Sequence, residues 1–519
     1  MKLVTKAEFV QIWKEAEKKG INQRQSTATA GIKAAHIIAD YFSSLANQTV
    51  LGLIGKGNKG LCTLSALIEL RKHGWLTTAY LVDYPTSDPV LKHYKQIDGE
   101  ILKIAKDPSL NVLRQAIADN SVLIDGLITP FGAPSDKTLR VMKTASSEVR
   151  QIGRYVVSLG MPSGIDAETG AISENALAAD LTIIAGVAGI GLAKPEALRL
   201  AGQVAYVPLG IEELEAWHSI NHHLVDEKMV KAALRKADFA ADTSILLAIG
   251  SVNHAGRPLL AGKAALRSGA AQITIGIPNN LHTSLATALP EADWVLLPHE
   301  LGVINEDAAD VLKATLEEKP FNACLLGVDT TSEEATTRFW QQMLGETKHS
   351  GSLGFVPTAQ KKRSRTHLPP LVLGQNGAQA LEKLGKTGEF LPTSTVILAG
   401  TAPDEGEEPP EQRGTRLAQK WGRAVVVWGE LPIVACPDGK TGAIPYPLPR
   451  THFAGSEAVL GGITASFLAH GLTAWEAATA AAWIYAAALN RASQQTGWLM
   501  GTTANDGLPQ IPSIIAEFA

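Results

Sequence analysis

The stretch HFAGSEAVLGGITASFLAHG, His452 to Gly471, reads as a glycine-containing turn that runs into an amphipathic helix. A turn of that kind sets backbone N–H groups and the positive end of a helix against an anion. A proton-moving acid belongs beside such a site, yet the turn's only acid is Glu457, and Ala458 follows it. A different chemistry is open at Cys62, near the start of an expected helix, where a thiol's pKa falls. No histidine lies close to it in sequence, so a nucleophile and an unreactive packed thiol are both open readings. Cys62, Cys324 and Cys436 stand far apart without a CxxC spacing. That argues against a disulfide framework or a zinc site and for a reducing, cytoplasmic setting.

The elements around these residues follow from hydrophobic periodicity. Short apolar runs, partly β-branched, occupy 49–55, 77–84, 121–128, 154–160 and 180–186, with amphipathic segments at 61–74 and 87–97 between them. Strands spaced by helices predict a parallel, doubly wound sheet with right-handed crossovers. VAYVPLGI (204–211) closes this series, and a polar helical stretch runs from Glu212 to about Asp242. A second series has apolar runs at 244–251, 271–278, 294–298, 323–328, 370–374, 394–400 and 424–429, with closing helices near Gly455 and Trp475. The expected fold is α/β, as two tandem three-layer domains over 1–212 and 243–519, with 213–242 as the interdomain segment.

At 519 residues the chain exceeds one ordinary core. A net charge of −4 gives no electrostatic case for nucleic acid or an anionic membrane. The N-terminal MKLVTKAEFVQIWKEAEKKG is expected as a charged amphipathic helix, not a signal peptide. TAWEAATAAAWIYAAALN contains Glu476 and is mostly alanine, so a buried core helix is expected there and not a membrane span. The basic 346–370 and acidic, proline-containing 403–413 segments are expected to be solvated loops or contact points for a protein partner.

Several motifs in fixed order resemble the bifunctional NAD(P)H-hydrate repair proteins, which join an NAD(P)HX epimerase domain to an ADP- or ATP-dependent dehydratase domain. GKGNKGLCTL (55–64) resembles the family's G-x-G-N-N-G-G-D-G turn, LIDGLITPFG (123–132) its acidic strand end, and LGMPSGIDAETG (159–170) its D-I-P-S-G-x-D-x-x-T-G loop. AKPEAL with GQVAYVPLGI (193–211) resembles its lysine-proline element and last strand. LAIGS, GKAALRSGAAQITIGIP and LPEADW resemble the start of the ribokinase-like dehydratase, and HFAGSEAVLGGITASFLAHG occupies the place of its T-G-G-S-G-D-V-L-A-G-I turn. The resemblance implies a Rossmann-like domain followed by a ribokinase-like one, possible homo-oligomerisation, and ADP/ATP, NAD(P)H or NAD(P)HX, potassium and magnesium as ligands.

The chemical positions depart from that pattern. The family's aspartate before I-P-S-G falls on Gly160, the aspartate of G-G-D-G on Cys62, and the base of G-S-G-D on Ala458. Its second asparagine, which resembles a potassium ligand, falls on Lys59, while Asp125 and Ser163 match the other potassium-ligand positions. Lys59 therefore either places its ammonium where the cation would sit, paired with Asp125, or points into solvent. Gly57, Asn58 and Gly60 keep the phosphate-facing turn, and Ser163 and Gly164 keep the loop. In the second half H-K-G appears as FAAD (239–242), G-P-G as Gly327–Asp329, D-A-D as Gly374–Asn376, T-P-H-x-x-E as AGTAPDE (399–405), and the late lysine-glycine as Trp428-Gly429. Gly250, Gly455, Gly461, Gly462 and Ser456 survive, either to cradle a phosphate or to allow close packing.

Two functions are weighed on this pattern. The first is a degenerate homologue, impaired in both domains, that binds nucleotide, scaffolds or regulates. The second is an active epimerase or dehydratase in which Asp166, Glu457 or Asp329 takes over. A sugar or vitamin kinase is disfavoured by Ala458, because such kinases use the same aspartate. Glu457 is one residue early, which turns its side chain by about 100°, and its expected role is a first-turn acid on its own helix.

Overall fold

The computed structural model describes residues 1–328, 330, 334–344, 367–386, 388–400, 408–448 and 454–518. Residues 346–366 of the basic segment, 403–407 of the acidic one, Asp329 and His452 lie outside the described residues, while Pro410–Arg413 open a helix, Pro410–Trp421, where a loop was expected. The chain divides into two compact units, Met1–Leu224 and Val225–Ala519, and the division falls inside 213–242.

In the first unit β1 (Lys2–Val4) precedes α1 (Lys6–Lys18), so the charged start of the chain is a strand and then a helix. Thr5 separates them and closes a capping box with Glu8. The strands that follow are β2 (Thr49–Ile54), β3 (Leu76–Leu81), β4 (Glu100–Lys103), β5 (Val122–Gly126), β6 (Tyr155–Leu159), β7 (Leu181–Ala185), β8 (Val187–Gly189), β9 (Gln203–Val207) and β10 (His222–Leu224). Among the described residues, seven of them form a parallel sheet in the order β4–β3–β2–β5–β6–β7–β9. β1 pairs instead with β8 and β10.

Side-chain alternation along the strands builds the layers. Val50, Ile54, Val122 and Ile124 face α2 (Gln23–Tyr41) and α3 (Asn58–Lys72). Leu51, Leu53 and Leu123 face the other way, towards helices at Asn111–Asp119 and Asp136–Ile152. The chain leaves β2 towards β3 and β4, then returns to lay β5 on the opposite edge of β2. That reversal opens a crevice beyond the carboxyl ends of β2 and β5.

The second unit repeats the plan. Its strands are β11 (Ser244–Ala248), β12 (Gln272–Pro278), β13 (Asp293–Leu297), β14 (His299–Glu300), β15 (Val303–Ile304), β16 (Ala323–Leu326), β17 (Leu371–Leu373), β18 (Val396–Gly400), β19 (Ala424–Trp428), β20 (Ile433–Ala435) and β21 (Thr441–Ala443). The unit's strands run β13–β12–β11–β16–β17–β18–β19 in parallel, followed by antiparallel β20 and β21. Ile245, Leu247, Leu325 and Val426 face one layer of helices, while Leu246, Leu326, Leu373 and Val427 face the other.

One sequence expectation changes here. The helix after Gly455, Ser456–Ala469, is not amphipathic: from Ala458 to Leu468 every residue is buried. It lies between the sheet and the helices Arg257–Arg267 and Ala474–Thr496, so no side of it meets water. Ala474–Thr496 is a core helix, as expected, and Glu476 belongs to its capping box with Thr473. Among the described residues no helix is long and apolar enough to cross a membrane.

Close backbone approach explains one glycine of the first crevice. A Cβ at Gly60 would stand 2.0 Å from the carbonyl oxygen of Gly55. Gly60→Ala should therefore push α3 off β2 and cost about 1–3 kcal/mol or more, read as a lowered Tm by calorimetry.

Candidate functional site

In the first unit, Gly57 (φ 102°) starts α3 and leaves Asn58 and Lys59 in its first turn. Asp125 sits near the end of β5, and Ser163 on the loop after β6. The fold brings these three elements together. The Lys59 ammonium donates to Asp125 Oδ2 at 2.7 Å, to the Met161 carbonyl at 2.8 Å and to Ser163 Oγ at 3.2 Å. Three donors meet three acceptors. Lys59 is 3% exposed and Asp125 0%, so of the two positions open to Lys59 the structure has the buried one.

Asp125 is saturated as well. Its Oδ2 also accepts from Ser158 Oγ (3.1 Å) and Ser163 N (2.7 Å). Its Oδ1 accepts from Leu127 N (3.1 Å) and Ser163 Oγ (2.7 Å). Burial alone would push this carboxyl up, but the Lys59 ammonium and the Ser163 donors outweigh it and hold Asp125 below its ordinary value. Burial pulls the Lys59 amine down, and Asp125 offsets only part of that.

Next to this cluster lies a cavity of about 620 Å³, lined by Thr129, Phe131, Met161, Ser163, Asp166 and Glu168 among others. Gly160 has φ 93°, and a Cβ there would meet nothing within 4 Å. The spot has room for a side chain but a backbone conformation that disfavours one. Asp166 is committed to its own loop: its Oδ1 accepts from Glu168 N, Thr169 N and Thr169 Oγ1. Those donors, Thr169 foremost, lower its pKa, which suits a turn-former and not a proton shuttle. Gly164 (φ 105°) lies against Ala176, where a Cβ would come within 2.6 Å. Cys62 is buried, and desolvation pushes its thiol up to about 12, so it stays protonated at neutral pH.

In the second unit the turn at Gly455 (φ 94°) starts the buried helix, and an Arg257 nitrogen lies 2.7 Å from where a Gly455 Cβ would be. The Ser456 hydroxyl turns inward and hydrogen-bonds the Tyr485 phenol at 3.1 Å. Trp428 stacks on Tyr485 with centroids 5.2 Å apart and planes at 17°. Glu457, in the first turn of its own helix, also reaches the start of another: its Oε1 accepts from Gln375 N at 2.7 Å, capping Gln375–Lys383. The Gln375 side chain in turn accepts from Gly400 N at 3.1 Å. The Gly250 N–H donates to the Val328 carbonyl at 2.9 Å. At Gly461 and Gly462 a Cβ would stand 2.8 Å from Leu325 and 2.3 Å from the Ala261 carbonyl, so both serve close packing. Ala458 is fully buried.

Two known protein families match the chain in tandem. The family described as YjeF-related protein N-terminus matches residues 25–191, and the one described as NAD(P)H-hydrate dehydratase matches residues 397–512. The bifunctional NAD(P)H-hydrate repair enzyme Nnr of Moorella thermoacetica is 24% identical, over 93% of this chain and 91% of its own. Its namesake from Salinibacter ruber is 28% identical, over 94% and 91%. The chain belongs to the bifunctional NAD(P)H-hydrate repair family. Among solved structures, an ADP/ATP-dependent NAD(P)H-hydrate dehydratase from Bacillus subtilis is 18% identical and covers 58% of this chain and 100% of its own, with a TM-score of 0.43.

In this chain, sequence reasoning missed the Met161 carbonyl, Ser158 and the Trp428–Tyr485 stack. A backbone acceptor leaves no trace in residue types. The aromatic pair is 57 positions apart in sequence.

Lys59→Met would leave Asp125 charged, buried and without its cation, at a cost of about 3–5 kcal/mol. Adding Asp125→Asn should recover part of that loss, so chemical denaturation of the single and double variants would show non-additivity. Because the folded Asp125 carboxyl titrates below its unfolded value of about 3.9, the unfolded chain takes up the proton first as pH falls. The contribution is complete above that value and is lost as pH falls through the folded one. Acid unfolding of Asp125→Asn should lack this component.

Proposed function

We propose that this chain is a non-catalytic member of the NAD(P)H-hydrate repair family, which keeps two ligand crevices and has lost the groups that moved protons in them. One observation carries the reading: the Lys59 ammonium is held by Asp125, Met161 and Ser163. Asp125 and Ser163 match positions that resemble the family's potassium ligands, and with an ammonium among these oxygens they do not fit a second cation.

The other crevice supports the same reading by different means. Elimination of phosphate from a hydrate needs a base and a place for negative charge. Glu457, nearest to the resembled base at Ala458, is engaged at Gln375 N. The position that resembles the late lysine carries Trp428, stacked and 7% exposed. What remains for a ligand is electrostatic: the start of a helix at Ser456 with Arg257 beside Gly455, which suits the phosphates of ADP or ATP. The first crevice has the turn at Gly57 and Asn58 with the neighbouring cavity, a shape for NAD(P)H or NAD(P)HX. Binding without turnover is the behaviour of a sensor or scaffold.

A coupled assay tests the proposal. With NADHX epimers and ADP or ATP supplied, NADH absorbance should rise no faster than without protein. Robust turnover that disappears in Glu457→Ala would overturn it.

The cation replacement has its own readout. The Tm of the unmodified protein should be the same in potassium and sodium salts. Lys59→Gly, which frees the three oxygens, should gain stability from potassium that sodium does not supply. A potassium-dependent Tm in the unmodified chain would count against the ammonium's role.

A further inference from the structure

Away from both crevices, α2 and the end of α3 bring two imidazoles to one carboxylate. His36 Nε2 lies 3.8 Å from Glu69 Oε1, and His73 Nδ1 lies 3.9 Å from the same oxygen. The two rings meet edge to face with centroids 5.0 Å apart. One donor atom from each of the three residues falls within 4.8 Å of the others. We propose that His36, Glu69 and His73 form a surface site for a divalent transition cation of the zinc class, which would pin α2 to the end of α3.

The donor set suits that class. Two imidazoles and one carboxylate are a recurrent zinc triad, and water completes the coordination where the site stays open. Bonds of about 2.0–2.2 Å to nitrogen and oxygen need the three donors to close up from their present spacing. The side chains can do so, because His36 is 55% and His73 43% exposed. The backbones beneath them are already fixed. At Gly31 a Cβ would stand 2.3 Å from the Cys62 carbonyl, so α2 and α3 are in direct backbone contact.

The His73 ring is already placed beside the carboxylate. His73 Nδ1 lies 2.8 Å from the Glu69 backbone carbonyl. That carbonyl holds the ring beside Glu69, and Nδ1, the nitrogen facing Glu69 Oε1, would exchange it for the metal. The Lys72 ammonium is bound to Glu69 Oε2 at 2.8 Å, so Oε1 is the oxygen turned to the imidazoles. Lys72 is a competitor for the carboxylate, which makes the site an exchangeable one.

The test uses the full chain, stripped with a chelator and titrated with zinc chloride alone in equilibrium dialysis. One equivalent of zinc should bind and raise the Tm. His36→Ala and His73→Ala should each weaken binding by at least about tenfold, equivalent to about 1.4 kcal/mol, and remove the Tm rise. Both positions are exposed, so the variants should fold, which their zinc-free Tm checks. Lys72→Ala should bind zinc as tightly or more tightly. Equal binding by the unmodified protein and the His36→Ala/His73→Ala double variant, or no retention at millimolar zinc, would overturn the proposal.

Discussion

The first unit is organised around one buried positive charge. Three segments far apart in sequence (the first turn of α3, the end of β5 and the loop after β6) meet on the Lys59 ammonium. A charge removed from water is tolerated only when its partners are close and are themselves satisfied. Asp125 meets that condition through Ser158, Ser163 and Leu127, beyond Lys59 itself. The ammonium is covalently tethered, so the cluster needs no ion from solution to be complete.

The second unit deals with its crevice differently. There a hydroxyl, a phenol and an indole form a continuous column from Ser456 through Tyr485 to Trp428. Glu457 bridges two helix starts, where a negative charge meets the positive ends of both dipoles. Glu457, one of the acids that looked able to act chemically, is therefore occupied in joining elements. Electrostatic neutrality organises the first unit's cluster, and aromatic packing the second's.

Much of this was legible in the sequence, and for identifiable reasons. Apolar runs such as 49–55 and 244–251 marked the central strands because strands buried on both faces read as continuous hydrophobic stretches. Lys59 beside Asp125 and Ser163 was legible only through a family pattern, since nothing local distinguishes a buried lysine from a solvated one. β4 was missed because Glu100–Lys103 is an edge strand with little buried surface. The helix at Ser456–Ala469 was misread as amphipathic because its small and hydroxyl residues look polar in sequence. In the fold Thr464 bonds back to Leu460, and Ser466 to the Ser268 carbonyl. Glu457's second helix lies 82 positions away, beyond the reach of any local rule.

The aromatic column has a bearing on history. A lysine placed at position 428 would enter a slot shaped for an indole, against a ring that packs on its neighbour. The phenol stacked on Trp428 would lose its cover. A single Trp428→Lys step is thus unfavourable unless its neighbours change with it. Packing of this kind acts as a ratchet: a ring that fills its slot shuts out a charge.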